Sequence, residues 1–229
     1  MSQRRNNRTN PVLNNSNPER QIDLDGAIKE CVRFIVCREG SKIPIKRAEI
    51  VKHLSSTYQL PKNQVNSVIV EANRKLKEIY GYKLVQVEAK SGIQYIVVLT
   101  EDSESLLPTS VDVQQRKLLI ASLTHIFMAG GSVKDDDMWK FLAEANLLQE
   151  NDHAGRKLLT NTFTRQMYLN FVKEGDGELA RNIFEWGQRA VEEVPKRFLL
   201  NKMAQAFDKT PDYWCEQYKE ATTETAEEI

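Results

Sequence analysis

Residues 117–147, KLLIASLTHIFMAGGSVKDDDMWKFLAEANL, decide how this chain is built. At 100° per residue, Leu119, Ile120, Leu123, Ile126 and Phe127 form one helical stripe, while Leu118, Ala121 and Met128 fall on another side. A helix apolar on two sides has to be buried on two sides. A small domain offers one core, so the second side is expected to meet another domain of the chain or a partner protein. Gly130-Gly131 stop the helix, Ser132-Val133-Lys134 leave room for a short strand, and Asp135-Asp136-Asp137 open a second helix with Met138, Leu142 and Ala145 inward. Thr160 is the expected N-cap of a third helix carrying Phe163, Met167 and Tyr168. Two strands, 168–172 and 182–186, then flank the polar loop KEGDGELAR. Helix, short strand, helix, helix, hairpin is the order of a winged helix.

Upstream, the same order repeats. Leu24, Ile28, Cys31, Val32 and Ile35 form a helical stripe; Phe34 and Cys37 point away from it, with Val36 on its shoulder. Such a Phe either contacts a partner or is covered by the neighbouring lobe. Gly40 closes that helix, 42–45 reads as an edge strand broken by Pro44, and 46–54 as a second helix with Ala48, Val51 and Leu54 inward. Pro61 suits the first turn of a third helix reaching Ile79, with Val65, Val68, Ile69, Ala72, Leu76 and Ile79 on its core side. Its opposite side shows Asn63, Asn66, Ser67, Arg74 and Lys77, rich in donors and nearly free of carboxylates. That side is either a DNA-reading surface or a solvated face. Strands 82–88 and 93–99 close the first lobe around Gly92.

The expectation is therefore a mostly helical α+β chain of two tandem winged helices. A disordered leader covers 1–23, the first domain 24–100, a polar linker 101–116, the second domain with C-terminal helices 117–221, and an acidic tail 222–229. At 229 residues and 41% hydrophobic content the chain can fill two small cores, and no apolar run approaches the ~18 residues of a membrane span. Net charge is zero but unevenly placed: thirteen basic against seven acidic side chains give +6 over 25–100, and one against six give −5 over 210–229. A basic first lobe is the electrostatic minimum for touching nucleic acid.

Nothing in the chain reads as an active site. The three Asp at 135–137 complement a helix dipole, the three His are scattered without a nucleophile at catalytic spacing, and GGS and GDG lack a phosphate loop's Gly-Lys-Ser/Thr. Cys31, Cys37 and Cys215 form neither a disulfide framework nor a zinc site, which fits a reducing compartment. The chain is read as a non-enzyme without cofactor or metal.

KIPIKRAEI, YKLVQVEAKSGIQYIVVL, LLIASLTHIFMAGGSV, DMWKFL, KLLTNTFTRQMYL and FEWGQRAVEEVPKRFLLNKMAQAF together resemble the MAGE (melanoma-antigen) homology domain family, in the family's order and over about 24–221. Within it they look most like the ancestral branch, the non-SMC subunits of the five/six-type SMC complex. The resemblance implies a nuclear protein, compatible with a cytoplasmic pool as well. It implies a role in recombinational DNA repair that stimulates a RING ubiquitin ligase subunit, contacts the kleisin and binds duplex DNA without sequence preference. It places the RING contact on Phe34, Ile35 and Val36. The kleisin is expected on the second lobe, where Leu118, Ala121, Met128, Phe184 and Phe207 offer apolar surface. The alternative is a regulator of an unrelated RING ligase that leaves DNA alone.

Overall fold

The computed structural model describes residues 23–100, 112–149, 151–175, 177 and 180–226. All of the expected leader except Asp23, most of the linker and the end of the tail lie outside the described residues.

Asp23 caps the first helix, α1 (Leu24–Glu39), by accepting a hydrogen bond from the Gly26 amide at 2.8 Å. A short strand β1 (Ile45–Lys46) leads into α2 (Arg47–Tyr58), and α3 (Lys62–Lys75) starts behind Pro61. The hairpin β2 (Tyr82–Ala89) and β3 (Gly92–Leu99) completes a three-stranded antiparallel sheet in the order β1-β3-β2, with Ile45 opposite Tyr95. Gly92 turns the hairpin at φ +101°, a conformation side chains resist. Val65, Val68, Ile69 and Ala72 of α3 pack with Cys31 and Ile35 of α1 and Ile50 and Leu54 of α2 into one core.

Three expected core positions move. α3 passes into one wider, π-helical turn (Leu76–Tyr80), which rotates the last residues, so that Leu76 stays buried and Ile79 is 53% exposed. Ile50 rather than Ala48 supplies the inner face of α2, because that helix starts at Arg47 and continues to Tyr58. Leu24, in the first turn of α1, is exposed, and Ala27 takes its place inside.

The second half repeats the plan: α4 (Val113–Met128), β4 (Ser132–Lys134), α5 (Asp135–Glu144), α6 (His153–Lys157) running into a π-helical turn (Leu158–Phe163), then β5 (Leu169–Glu174) and β6 (Arg181–Trp186). Its sheet, β4-β6-β5, has the topology of the first. Gly130 and Gly131, at φ +90° and +103°, end α4 as expected. The third helix starts earlier than Thr160. Asp152 caps it through the Gly155 amide at 2.9 Å, and the Thr160 hydroxyl donates back to the Arg156 carbonyl. Ala145 lies beyond the end of α5 and is exposed.

Both sides of α4 are covered, as its composition demands, but the chain covers them itself. Leu118, Leu119, Leu123 and Ile126 enter the core of the second lobe. Phe127, with Ile120 and Met128, packs under Leu199 and Leu200 of α8 (Lys196–Ala206) and Ala221 of α9 (Cys215–Ala226). The two sides divide differently from the expectation: Leu118 and Ala121, expected on the second side, join the core of the lobe, whereas Ile120 and Phe127 of the expected core stripe turn with Met128 to the C-terminal helices, which stand where a partner was expected. Between β6 and α8 lies α7 (Gln188–Glu193), which carries the contact with the first lobe.

Gly187 makes the approach of α7 possible. A Cβ there would sit 2.3 Å from the Met167 carbonyl oxygen, a backbone atom that cannot swing away. Gly187→Ala is expected to lower stability by about 2 kcal/mol or more, read as a reduced denaturation midpoint with an unchanged slope.

Candidate interaction surfaces

On α1 the expected ligase patch divides. Ile35 is fully buried, and Phe34 is only 8% exposed. The Phe34 ring stacks on His53 of α2 with centroids 4.5 Å apart, and the Arg38 guanidinium covers it at 3.8 Å. A helical wheel places Phe34 off the stripe but cannot see α2, which packs against that side. Val36, half-buried, keeps outward surface, and Arg33, Cys37 and Arg38 around it are exposed. Beneath them Glu30 accepts from Arg33 Nε at 2.8 Å and meets His53 Nε2 at 2.7 Å. The hydrogen bond from Arg33, then the one from His53, hold the Glu30 carboxyl down to about 2.

The outer face of α3 is open, with Asn63, Asn66, Ser67, Arg74 and Lys77 all exposed. Its electrostatics differ from the expectation. Arg74 is held between Glu71 and Glu78, one turn to either side, so the face is not free of carboxylates and this cation is neutralised locally. Asn66 Oδ1 already accepts from Arg47 Nη2 at 2.6 Å, and Val70, 70% exposed, sits in the middle of the face.

Of the apolar residues expected to meet a kleisin, Leu118 and Phe184 are core. Phe184 is fully buried between Trp139 and Phe171, because β6 is the central strand of its sheet. Ala121 and Met128 are half-buried under neighbouring helices. Phe207 alone is open, at 60%, and it belongs to a larger aromatic surface. Phe207 meets Trp214 edge-on and Trp214 meets Tyr213, while Phe198, half a turn round α8 from Phe207, is 52% exposed on a separate side. A groove of about 410 Å³ runs beside it, lined by Leu200, Pro211, Tyr218 and Arg197 among others.

One surface lay outside the sequence expectations. From His153 to Val172 the chain carries Arg156, Lys157 and Arg165 and no carboxylate at all. Lys157, Asn161 and Arg165, four residues apart along the third helix of the second lobe, are all exposed. Averaging over the neutral second lobe hid this stretch; a window of one helix reveals it.

Titratable groups elsewhere are structural. Asp135 accepts from Asn182 at 3.0 Å and from the Asp136 amide, and no group of metal-ligating side chains occurs among the described residues. His125 stacks on Phe141 at 4.0 Å, and burial lowers its pKa. Burial pushes the Cys31 thiol up to about 12, which suits a packing residue rather than a nucleophile. No described helix is long and apolar enough to cross a membrane.

The family model of the MAGE homology domain matches residues 31–197, from the middle of α1 through both sheets to the start of α8. The chain belongs to the MAGE homology domain family. Along 216 residues it is 32% identical to "Non-structural maintenance of chromosomes element 3 homolog" from Homo sapiens, covering 89% of this chain and 68% of that protein. It is also 32% identical over 207 residues to "MAGE-like protein 2" from Homo sapiens, but spans only 16% of that longer protein. A chain of the solved "Nse1-Nse3-Nse4 complex" superposes with a TM-score of 0.75 at 27% identity, covering 88% of this chain and 99% of that one. Within this MAGE domain the α1, α3 and α6 surfaces fall inside the matched residues, whereas Phe198, Phe207 and Tyr213 lie beyond them.

Two outcomes follow for α1. Phe34→Ala removes a buried ring and is expected to destabilise by about 3 kcal/mol, with Val36→Ala costing well under half of that in the same urea titration. Because the folded Glu30 carboxyl is depressed from 4.5 to about 2, its contribution to stability is complete above pH 4.5 and disappears as pH falls towards 2. Glu30→Gln should therefore flatten the fall of unfolding free energy across that window.

Proposed function

We propose that this chain is a non-enzymatic, nuclear subunit of an SMC-type chromosome-maintenance and DNA-repair complex. In it two winged-helix lobes serve as a bridge: the chain binds and stimulates a RING ubiquitin ligase subunit, contacts the kleisin and binds duplex DNA. The observation carrying this reading is the superposition with a chain of the Nse1-Nse3-Nse4 complex, which extends over 99% of that chain rather than over one lobe.

The surfaces support a division of labour. Val36 with Arg33, Cys37 and Arg38 offers the RING subunit a rim on α1, backed by the stacked Phe34 and His53. Phe207 and Tyr213, with Trp214 between them, offer the kleisin an aromatic surface on the C-terminal helices, in place of the buried Leu118 and Phe184. For DNA, the carboxylate-free third helix of the second lobe fits a phosphate backbone better than α3 does. Arg74 would have to leave two carboxylates before reaching a phosphate, whereas the stretch bearing Lys157 and Arg165 contains none.

Affinity capture of the full chain followed by mass spectrometry tests the assembly. SMC-complex subunits among the captured proteins support it, and a lone RING ligase without them overturns it in favour of a ligase regulator. Duplex titrations at several salt concentrations test the DNA face. Lys157→Glu with Arg165→Glu is expected to weaken binding for unrelated sequences alike and to reduce the log-affinity against log-salt slope by about one unit per lost contact. Arg74→Glu is expected to leave that slope in place, and a loss confined to Arg74→Glu would return the DNA face to α3.

A further inference from the structure

The joint between the two lobes combines apolar burial with directional bonds: Ile96 and Val98 of β3, fully buried, alternate with the core residues Tyr95 and Val97 and lie on the sheet face whose Lys83 pairs with Glu192 of α7. The main apolar cluster of the first lobe draws on residues 27–97 and the two clusters of the second on residues 118–221, so among the described residues neither lobe's main core extends into the other. What crosses is Arg189, a side chain only 1% exposed. Its Nη1 donates to the Val97 carbonyl of β3 at 2.6 Å, and Nη2 to the Lys42 carbonyl in the loop after α1 at 2.9 Å. On its own side Nε donates to the Gln166 carbonyl at 2.8 Å, and Nη1 meets Glu193 Oε1 at 3.0 Å. Tyr168 donates its hydroxyl to the other Glu193 oxygen at 2.5 Å, with the guanidinium 5.6 Å from the Tyr168 ring centre. Around this centre Gln166 Nε2 reaches the Ser41 carbonyl at 3.2 Å, and Lys83 pairs with Glu192 at 3.5 Å.

We propose that Arg189 is the positioning residue that sets the angle between the two lobes. Apolar contact is non-directional and would tolerate sliding. A planar guanidinium bonded to two backbone carbonyls of one lobe, on the loop after α1 and on β3, fixes both distance and rotation. Lys42 sits at φ +57°, a strained conformation for a lysine that presents its carbonyl to this fork. Ile96 and Val98 supply burial at the joint without direction, and the Arg189 bonds supply the direction. The Arg189 bonds thus latch two lobes whose main cores are separate.

Spin labels on the chain's own cysteines read this angle. Cys37 on α1 and Cys215 at the start of α9 are exposed, one in each lobe, while Cys31 is buried and resists labelling. Pulsed electron-spin distance measurements on the full chain should give one narrow distribution for the natural sequence. Arg189→Met should broaden it at least twofold with helical circular dichroism retained, and Arg189→Lys should broaden it too, since an ammonium keeps the charge but cannot span the same acceptors. An unchanged distribution in Arg189→Met overturns the proposal. If Arg189→Met loses its helical signal, Arg189→Lys decides. A folded chain with a broadened distribution upholds the latch, whereas a folded chain with the natural distribution, or unfolding of both variants, shows that the residue does not set the angle.

Discussion

A guanidinium buried where two lobes meet has to have its charge and donors satisfied, and the joint between the lobes is arranged around how Arg189 meets that demand. Removing such a group from water costs several kcal/mol unless hydrogen bonds replace the lost hydration. Here three backbone carbonyls and the Glu193 carboxylate do so. The carbonyls have to be in place, which fixes the Lys42 loop, the end of β3 and the segment before Tyr168. Gly187 contributes by letting α7 lie against the Met167 backbone.

Separate main cores held together by directional bonds suit the proposed role of presenting several surfaces at once. The rim on α1 belongs to the first lobe, the carboxylate-free helix to the second, and the aromatic surface to the helices that cover α4. Each is held by its own packing, so a change at one need not unfold the support of another. The membership in the MAGE homology domain family covers the two sheets and the helices between them. The assignment of partners to surfaces rests on what each surface offers chemically: half-buried Val36 among cations, open Phe207 and Tyr213, and Lys157 with Arg165 in line.

Periodicity made the repeat legible. Both hairpins, the glycine stops and the two-sided α4 could be read because apolar spacing and turn residues are local signals. What failed depended on neighbours. Phe34 lies off the α1 stripe, yet α2 stacks His53 on it; Ile79 continues the α3 pattern, yet a π-helical turn rotates it outward. Phe184 looked like available apolar surface and is the centre of a sheet. Arg74 reads as a donor on a face nearly free of carboxylates, yet Glu71 and Glu78 lie one helical turn to either side and pair with it. Arg189 gave no signal at all: an arginine in EWGQRAVEEV reads as solvated until the first lobe is placed against it.

The central claim is that one chain holds two protein partners on different surfaces at the same time. Native mass spectrometry of the chain mixed with a RING subunit and a kleisin subunit of its complex tests this most directly. The predicted result is a single species containing one copy of each, in which adding the second partner leaves the first in place. Two binary complexes that exchange, with the kleisin displacing the RING subunit, would contradict it.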